Sequence, residues 1–237
     1  MNKAHWHINI LTLFPEMFPG SLGLSLSGKA LEKGLWSYRT VNMRDFGLGV
    51  HKAVDDTPFG GGAGMVLRAD VVEDALFSLP SQAQKNIYLS PRGKTLTQEK
   101  VIEFSKIPEL TLLCGRYEGV DQRVLDAHNF EEISVGDYVL SGGEPAALVL
   151  MDACIRLLDG VMGNDQTPDE ESFSHGLLEY PHYTKPANWV DSKGVKRDVP
   201  EILTSGHHKN IEKWRKEKSE SLTKDVRPDL WEKYKDQ

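Results

Sequence analysis

Cysteine is nearly missing: Cys114 and Cys154 are the only two in 237 residues, and neither belongs to a Cys-x-x-Cys pair or a Cys/His cluster. That scarcity argues against a disulfide framework and against a zinc site. Long apolar runs are also lacking, since no stretch approaches the roughly 18–20 residues that cross a bilayer, and a membrane is therefore not an expected partner. Met1–His7 leads straight into a strand-like segment without a small-residue cleavage site, which reads as an uncleaved, cytoplasmic chain. Phosphate-binding signatures are missing as well. No Gly-x-x-x-x-Gly-Lys-Ser/Thr occurs, and Gly60–Gly64 runs into Met65-Val66-Leu67 with no lysine to reach a phosphate. No Gly-x-Gly-x-x-Gly opens a helix after the first strand, so a dinucleotide cradle has no support either. His207-His208 are adjacent and point to different faces of any regular element, which suits a solvated turn better than a metal.

Basic charge is scarce overall, with a formal net charge of −7, and this argues at first against a nucleic-acid partner. Its distribution changes the reading. Residues 1–175 hold 15 Lys/Arg against 24 Asp/Glu, whereas residues 176–237 hold 13 against 11. A short basic module on an acidic body accounts for both counts.

What is present is a regular alternation. Strand-like runs at 7–14, 38–43, 86–90, 110–114 and 131–135 interleave with helical stretches at 27–33, 69–78, 97–105, 121–127 and 144–158. Such alternation predicts an α/β fold, a mostly parallel sheet with helices on both faces. Residues 44–65 show no periodicity and end in a loop containing four glycines. Residues 159–180 are polar and read as a linker, and helices are expected again at 207–218 and 228–235. The expected organisation is a catalytic body over 1–160, a linker over 161–180 and a smaller, mainly helical domain over 181–237.

In parallel sheets ligands bind beyond the carboxyl ends of the strands. Three successive strands here end in Ser90-Pro91-Arg92-Gly93, in Gly115-Arg116-Tyr117-Glu118-Gly119-Val120-Asp121, and in Gly136-Asp137-Tyr138-Val139-Leu140-Ser141-Gly142-Gly143-Glu144. One glycine pair is an ordinary tight turn. Three glycine-bearing loops on one sheet edge point to a ligand pocket instead. A pocket of this kind, with few fixed cations, suits a neutral ring carrying a short charged tail.

The strings at 115–121 and 135–144 resemble those of the bacterial tRNA (guanine-N1)-methyltransferases of the knotted SPOUT superfamily. So do Leu13–Phe18, Val54–Gly62, Tyr88–Pro91 and His182–Thr184, in one order from residue 11 to about 218. The resemblance implies a deep trefoil knot, which periodicity does not predict because knotted chains are rare. It implies a homodimer with shared active sites, tRNA and not DNA as the nucleic acid, and S-adenosylmethionine as methyl donor. It extends to Mg²⁺ dependence, although no acidic cluster offers a metal site. By the same resemblance Tyr88, Leu89, Ser90, Pro91, Gly115, Tyr117, Gly119, Val135, Gly136, Asp137, Tyr138, Val139, Leu140, Gly142 and Gly143 bind the donor.

Methylating guanine at N1 needs a base for the ring proton and a stabiliser for charge on O6. The resemblance assigns the stabiliser to Arg156, on the long helix, and the base to Glu171, where the family usually has aspartate before Ser-Phe. Glutamate keeps the carboxylate but adds a methylene, and Asp169 and Glu170 stand beside it as alternatives. Glu118 and Asp55 are expected to face the guanine and its neighbour, and Arg116 either meets phosphate or caps its loop. The 193–197 segment and the helix over 207–218 are the expected phosphate contacts. Position 37, next to the anticodon, is the implied target. Two rival readings are another knotted RNA methyltransferase and a non-catalytic RNA-binding protein of the same fold; a methyl-transfer assay separates the latter.

Overall fold

The computed structural model describes residues 6–162, 171–173 and 175–236. The chain divides into two compact units, Met1–Gly163 and Asn164–Gln237.

The first unit is built on β1 (Trp6–Thr12), β2 (Trp36–Asn42), β5 (Lys85–Thr95), β6 (Glu109–Cys114) and β7 (Glu131–Ser134), hydrogen-bonded in the order β2-β1-β6-β5-β7. Every pairing in this sheet is parallel. Side chains alternate across a strand, so a sheet buried on both faces needs apolar residues at consecutive positions. Ile8 and Ile10 of β1, Ile87 and Leu89 of β5, and Leu110 and Leu112 of β6 face one cluster; Leu11, Tyr88 and Leu113 face the other. Each such side chain contributes about 1.5–3 kcal/mol by leaving water. The first cluster is closed by α1 (Ser25–Glu32), α3 (Gln98–Ser105) and α5 (Gly143–Ile155), the second by α2 (Ala69–Phe77) and α4 (Gln122–Ala127). The structure is thus the expected α/β sheet.

Local chemistry sets the helix starts. The Thr97 side chain accepts from Lys100 N at the head of α3, and Asp121 accepts from Arg123 N at 3.0 Å at the head of α4. Both cysteines are free and buried, and burial pushes the Cys154 thiol up to about 12.

Several boundaries differ from the expectation. The segment Ser90–Gly93 is not a loop beyond a finished strand, because β5 runs on to Thr95 with a break in register. Leu89 and Lys94 both pair with Ile133, so four residues are extruded between them as an irregularity within the strand. Residues 44–65 are not featureless: a 3₁₀ turn covers Met43–Phe46, and β3 (Asp55–Asp56) pairs antiparallel with β4 (Val66–Leu67). The long helix ends at Ile155 rather than 158, which makes Arg156 its C-cap residue.

The second unit contains β8 (Asn188–Val190), β9 (Lys196–Asp198), α6 (Glu201–Thr204), α7 (His208–Val226) and α8 (Pro228–Lys235). Helix α7 continues eight residues past the expected end, since no glycine or proline interrupts it before Pro228. The antiparallel hairpin β8–β9 is an addition to the expected helical module. Its turn is closed by Asp191, whose Oδ1 accepts from Lys193 N at 2.9 Å and Val195 N at 3.0 Å. Leu178 and Tyr180, read from sequence as linker, are held on α7: Leu178 N donates to Thr223 Oγ1 at 2.8 Å, and the Arg215 guanidinium lies 4.8 Å from the Tyr180 ring.

Candidate functional site

Strands β6, β5 and β7 are neighbours, so the residues at their carboxyl ends meet on one edge of the sheet. They wall a cavity of about 310 Å³, within the range of small-molecule sites.

The three walls are tied together by backbone. Gly143 N donates to Gly115 O at 2.9 Å, joining the segment after β6 to the head of α5. Glu118 N donates to Met65 O at 2.9 Å, and Leu67 N to Gly119 O at 2.9 Å, so β4 holds the same segment from the other side. In the segment after β7, Ser134 Oγ donates to Gly136 O at 3.0 Å and Tyr138 N to the same oxygen at 2.9 Å. That second bond closes a three-residue turn with Asp137 at its apex.

Two glycines are required by close approach. A Cβ on Gly115 would lie 2.8 Å from the ring of Tyr88, which is 5% exposed. A Cβ on Gly143 would lie 2.7 Å from the Cys114 Cα and 2.8 Å from Gly115 N, neither of which is a flexible side-chain end. Gly143→Ala is therefore expected to destabilise the protein by about 1–3 kcal/mol, read as a lower urea midpoint. An unchanged midpoint would mean that the two segments separate without cost.

Charge around the cavity is largely internally compensated. Arg116 Nη2 lies 2.9 Å from Glu144 Oε2, whose side chain is fully buried, and Arg116 Nη1 donates to Ser141 O at 3.1 Å. The guanidinium stacks 4.3 Å from the Phe14 ring, and Thr12 Oγ1 donates to Glu144 Oε1 at 2.7 Å. Arg92 Nη2 reaches Glu132 at 3.1 Å and Gln122 at 3.2 Å. Glu118 is an exposed carboxylate on the wall. Burial raises the Tyr88 phenol above its ordinary value, so it stays protonated and neutral at pH 7. The result is a cavity rich in backbone and aromatic surface whose cations both have carboxylate partners. That suits a ligand with a flat neutral ring better than a polyphosphate.

Of the fifteen residues expected around the donor, fourteen line this cavity, and Asp137 does not. Asp137 sits exposed at the apex of the turn that brings Gly136 and Tyr138 to the wall. Glu118 is on the wall, whereas Asp55 is off it, on β3 opposite Leu67. Arg156 is half-buried at the end of α5, and Glu171 is half-buried in the second unit. Asp169 and Glu170 lie outside the described residues. Sequence reading left Arg92, Val120, Ile133, Ser134, Ser141 and Ala146 out of the lining, and it assigned no partner to Arg116. Glu144 closes one of the glycine strings, but nothing in the string marks it as that partner. Among the described residues no group of three or more His, Cys, Asp or Glu is placed to hold a metal ion, and no helix is long and apolar enough to cross a membrane.

A protein from Cereibacter sphaeroides named tRNA (guanine-N(1)-)-methyltransferase is 56% identical over 240 residues, covering 99% of this chain and 94% of that protein. Proteins of the same name from Rhodospirillum rubrum and Gluconobacter oxydans are 58% and 56% identical, covering 95% and 97% of this chain and 92% and 96% of their own lengths. The family model described as tRNA (Guanine-1)-methyltransferase TrmD matches residues 6–233, and the chain belongs to that family.

Proposed function

We propose that this chain transfers a methyl group from S-adenosylmethionine to N1 of guanosine 37 in tRNA, beside the anticodon, and that it works as a homodimer with shared active sites. The observation that carries the reading is the cavity at the ends of β5, β6 and β7, walled by the residues at which the family resemblance places the donor. Its donor set fits that molecule: Tyr88 and Tyr138 offer aromatic surface, glycines bring backbone close, and both guanidiniums already have carboxylate partners. When bound, S-adenosylmethionine supplies an electrophilic methyl carbon on a sulfonium sulfur. The trefoil knot implied by the resemblance belongs to the same proposal, as does any use of Mg²⁺, for which no protein site is assigned. A cytoplasmic location follows from the substrate.

The remaining chemistry falls to side chains. The Glu171 carboxylate accepts the proton of guanine N1, which frees the N1 lone pair to take the methyl group. Charge that develops on O6 is met by the Arg156 guanidinium. Glu118 accepts from the guanine N2 or N1 edge and Asp55 from the neighbouring base, an arrangement that disfavours adenine. Helix α7 and the 193–197 turn meet phosphates, so tRNA affinity falls as salt rises.

The test is incorporation of labelled methyl from S-adenosylmethionine into unmodified tRNA transcripts bearing guanine or adenine immediately 3′ of the anticodon. Incorporation into the guanine transcript alone is expected. No transfer to either transcript would overturn the proposal and favour the RNA-binding reading.

A further inference from the structure

The second unit holds a cavity of its own. It lies between the segment Tyr183–Pro186 and the β8–β9 hairpin, has a volume of about 390 Å³, and is lined by Tyr183, Lys185, Pro186, Trp189, Arg197 and Val199 among others. Its two rings are half in solvent, Tyr183 at 48% and Trp189 at 54% exposure. A tryptophan and a tyrosine left half exposed beside a cavity offer apolar ring surface to a ligand. The aromatic surface continues to α7: Tyr183 and Trp214 have centroids 6.2 Å apart, and Lys218 Nζ lies 5.8 Å from the Trp214 ring. Rings and cations thus meet in and beside this cavity, with Asp198 as an acidic residue on its wall, and aromatic rings with cations are the composition of a platform for single-stranded nucleic acid.

The charges are arranged unequally. Lys196 is paired with Asp198 at 2.7 Å and Arg197 with Asp191 at 2.8 Å, and these pairs fix the hairpin. Lys185, on the cavity wall, and Lys193, in the hairpin turn, have no acidic partner among the described residues. Their charge is available to a polyanion.

We infer that this cleft receives one unpaired base of the RNA substrate, stacked on Trp189 beside Tyr183, with Lys185 at its phosphate. The inference rests on the proposed tRNA substrate and adds a contact made by the second unit itself. Stacking needs only a π-face, so the cleft accepts any base and positions the RNA rather than reading its sequence. Single-stranded loops are the parts of an RNA whose bases are free to splay out in this way.

The test uses the full-length protein, a labelled unmodified tRNA transcript in fluorescence anisotropy, and calorimetric titration of S-adenosylmethionine into the same samples. Trp189→Ala is expected to weaken tRNA binding about tenfold, the size of one lost base stack, with donor binding unchanged. Trp189→Phe keeps a flat face and is expected to restore most of that loss. Lys185→Ala is expected to flatten the dependence of log affinity on log salt by about one. Unchanged tRNA affinity in Trp189→Ala overturns the inference, and is also the outcome if the cleft serves a peptide or a second copy of the chain. Equal weakness of the Ala and Phe variants overturns it too, because the ring would then act by packing. Wild-type protein that binds tRNA without transferring methyl would overturn the proposed reaction and leave this readout standing.

Discussion

Glu144→Ala is expected to lower the free energy of unfolding by about 3–5 kcal/mol, the range observed when one member of a buried ion pair is removed. The Glu144 side chain is completely buried and that of Arg116 is only 18% exposed. The guanidinium left behind would therefore keep most of its desolvation cost without its counter-charge. Its position offers no easy escape to water: the Phe14 ring lies on one side, and a Cβ on Gly142 would collide with the same guanidinium. Glu144→Gln keeps an acceptor for Thr12 and removes only the charge, so its loss should be smaller. The double variant Glu144→Leu with Arg116→Met should recover much of the stability, because a well-packed apolar pair replaces the ions at little net cost. Urea denaturation of the three variants decides the matter. A loss below about 1 kcal/mol in Glu144→Ala would put the pair in the class of solvent-screened surface bridges. The pair also ties the segment after β6 to the head of α5, so donor affinity should fall with stability in the alanine variant.

That pair illustrates where the sequence stops being legible. Strands β1 and β6 are readable because consecutive apolar residues feed two clusters, and the cavity is readable because strand ends in a parallel sheet collect ligands. The partnership of Arg116 with Glu144 is not, since it depends on which loop folds over which strand end. The Ser90–Gly93 excursion reads as an ordinary loop because a chain cannot show in its own residues that pairing resumes on the same partner, Ile133. The β8–β9 hairpin escapes for another reason. All six of its strand residues are exposed, so no alternation marks it, and only Asp191 and Gly194 signal a turn. The role of each carboxylate is the least legible part. Glu118 stands on the cavity wall, yet its neighbours in sequence would look the same if it merely braced Gly64, against which it packs.

Glu171→Gln should cut kcat for methyl transfer by about 10²–10⁴-fold, the usual contribution of a positioned general base, and leave S-adenosylmethionine affinity unchanged. The amide is nearly isosteric but cannot take the N1 proton, so the loss should appear in kcat rather than in KM for tRNA. Glu171→Asp is the sharper variant. The carboxylate is retained and withdrawn by one methylene, and a base displaced by about 1 Å can cost on the order of 100-fold. If the backbone around Glu171 is set back to suit the longer side chain, aspartate will be the slower enzyme. If aspartate matches or exceeds the wild type, the family's usual geometry is retained here and glutamate merely reaches the same point by folding its extra carbon. Rapid-quench single-turnover rates at saturating tRNA report chemistry apart from product release, which steady-state turnover does not. Full activity in Glu171→Gln would remove the assignment and pass the proton to Asp169 or Glu170, where the same substitution would then abolish transfer.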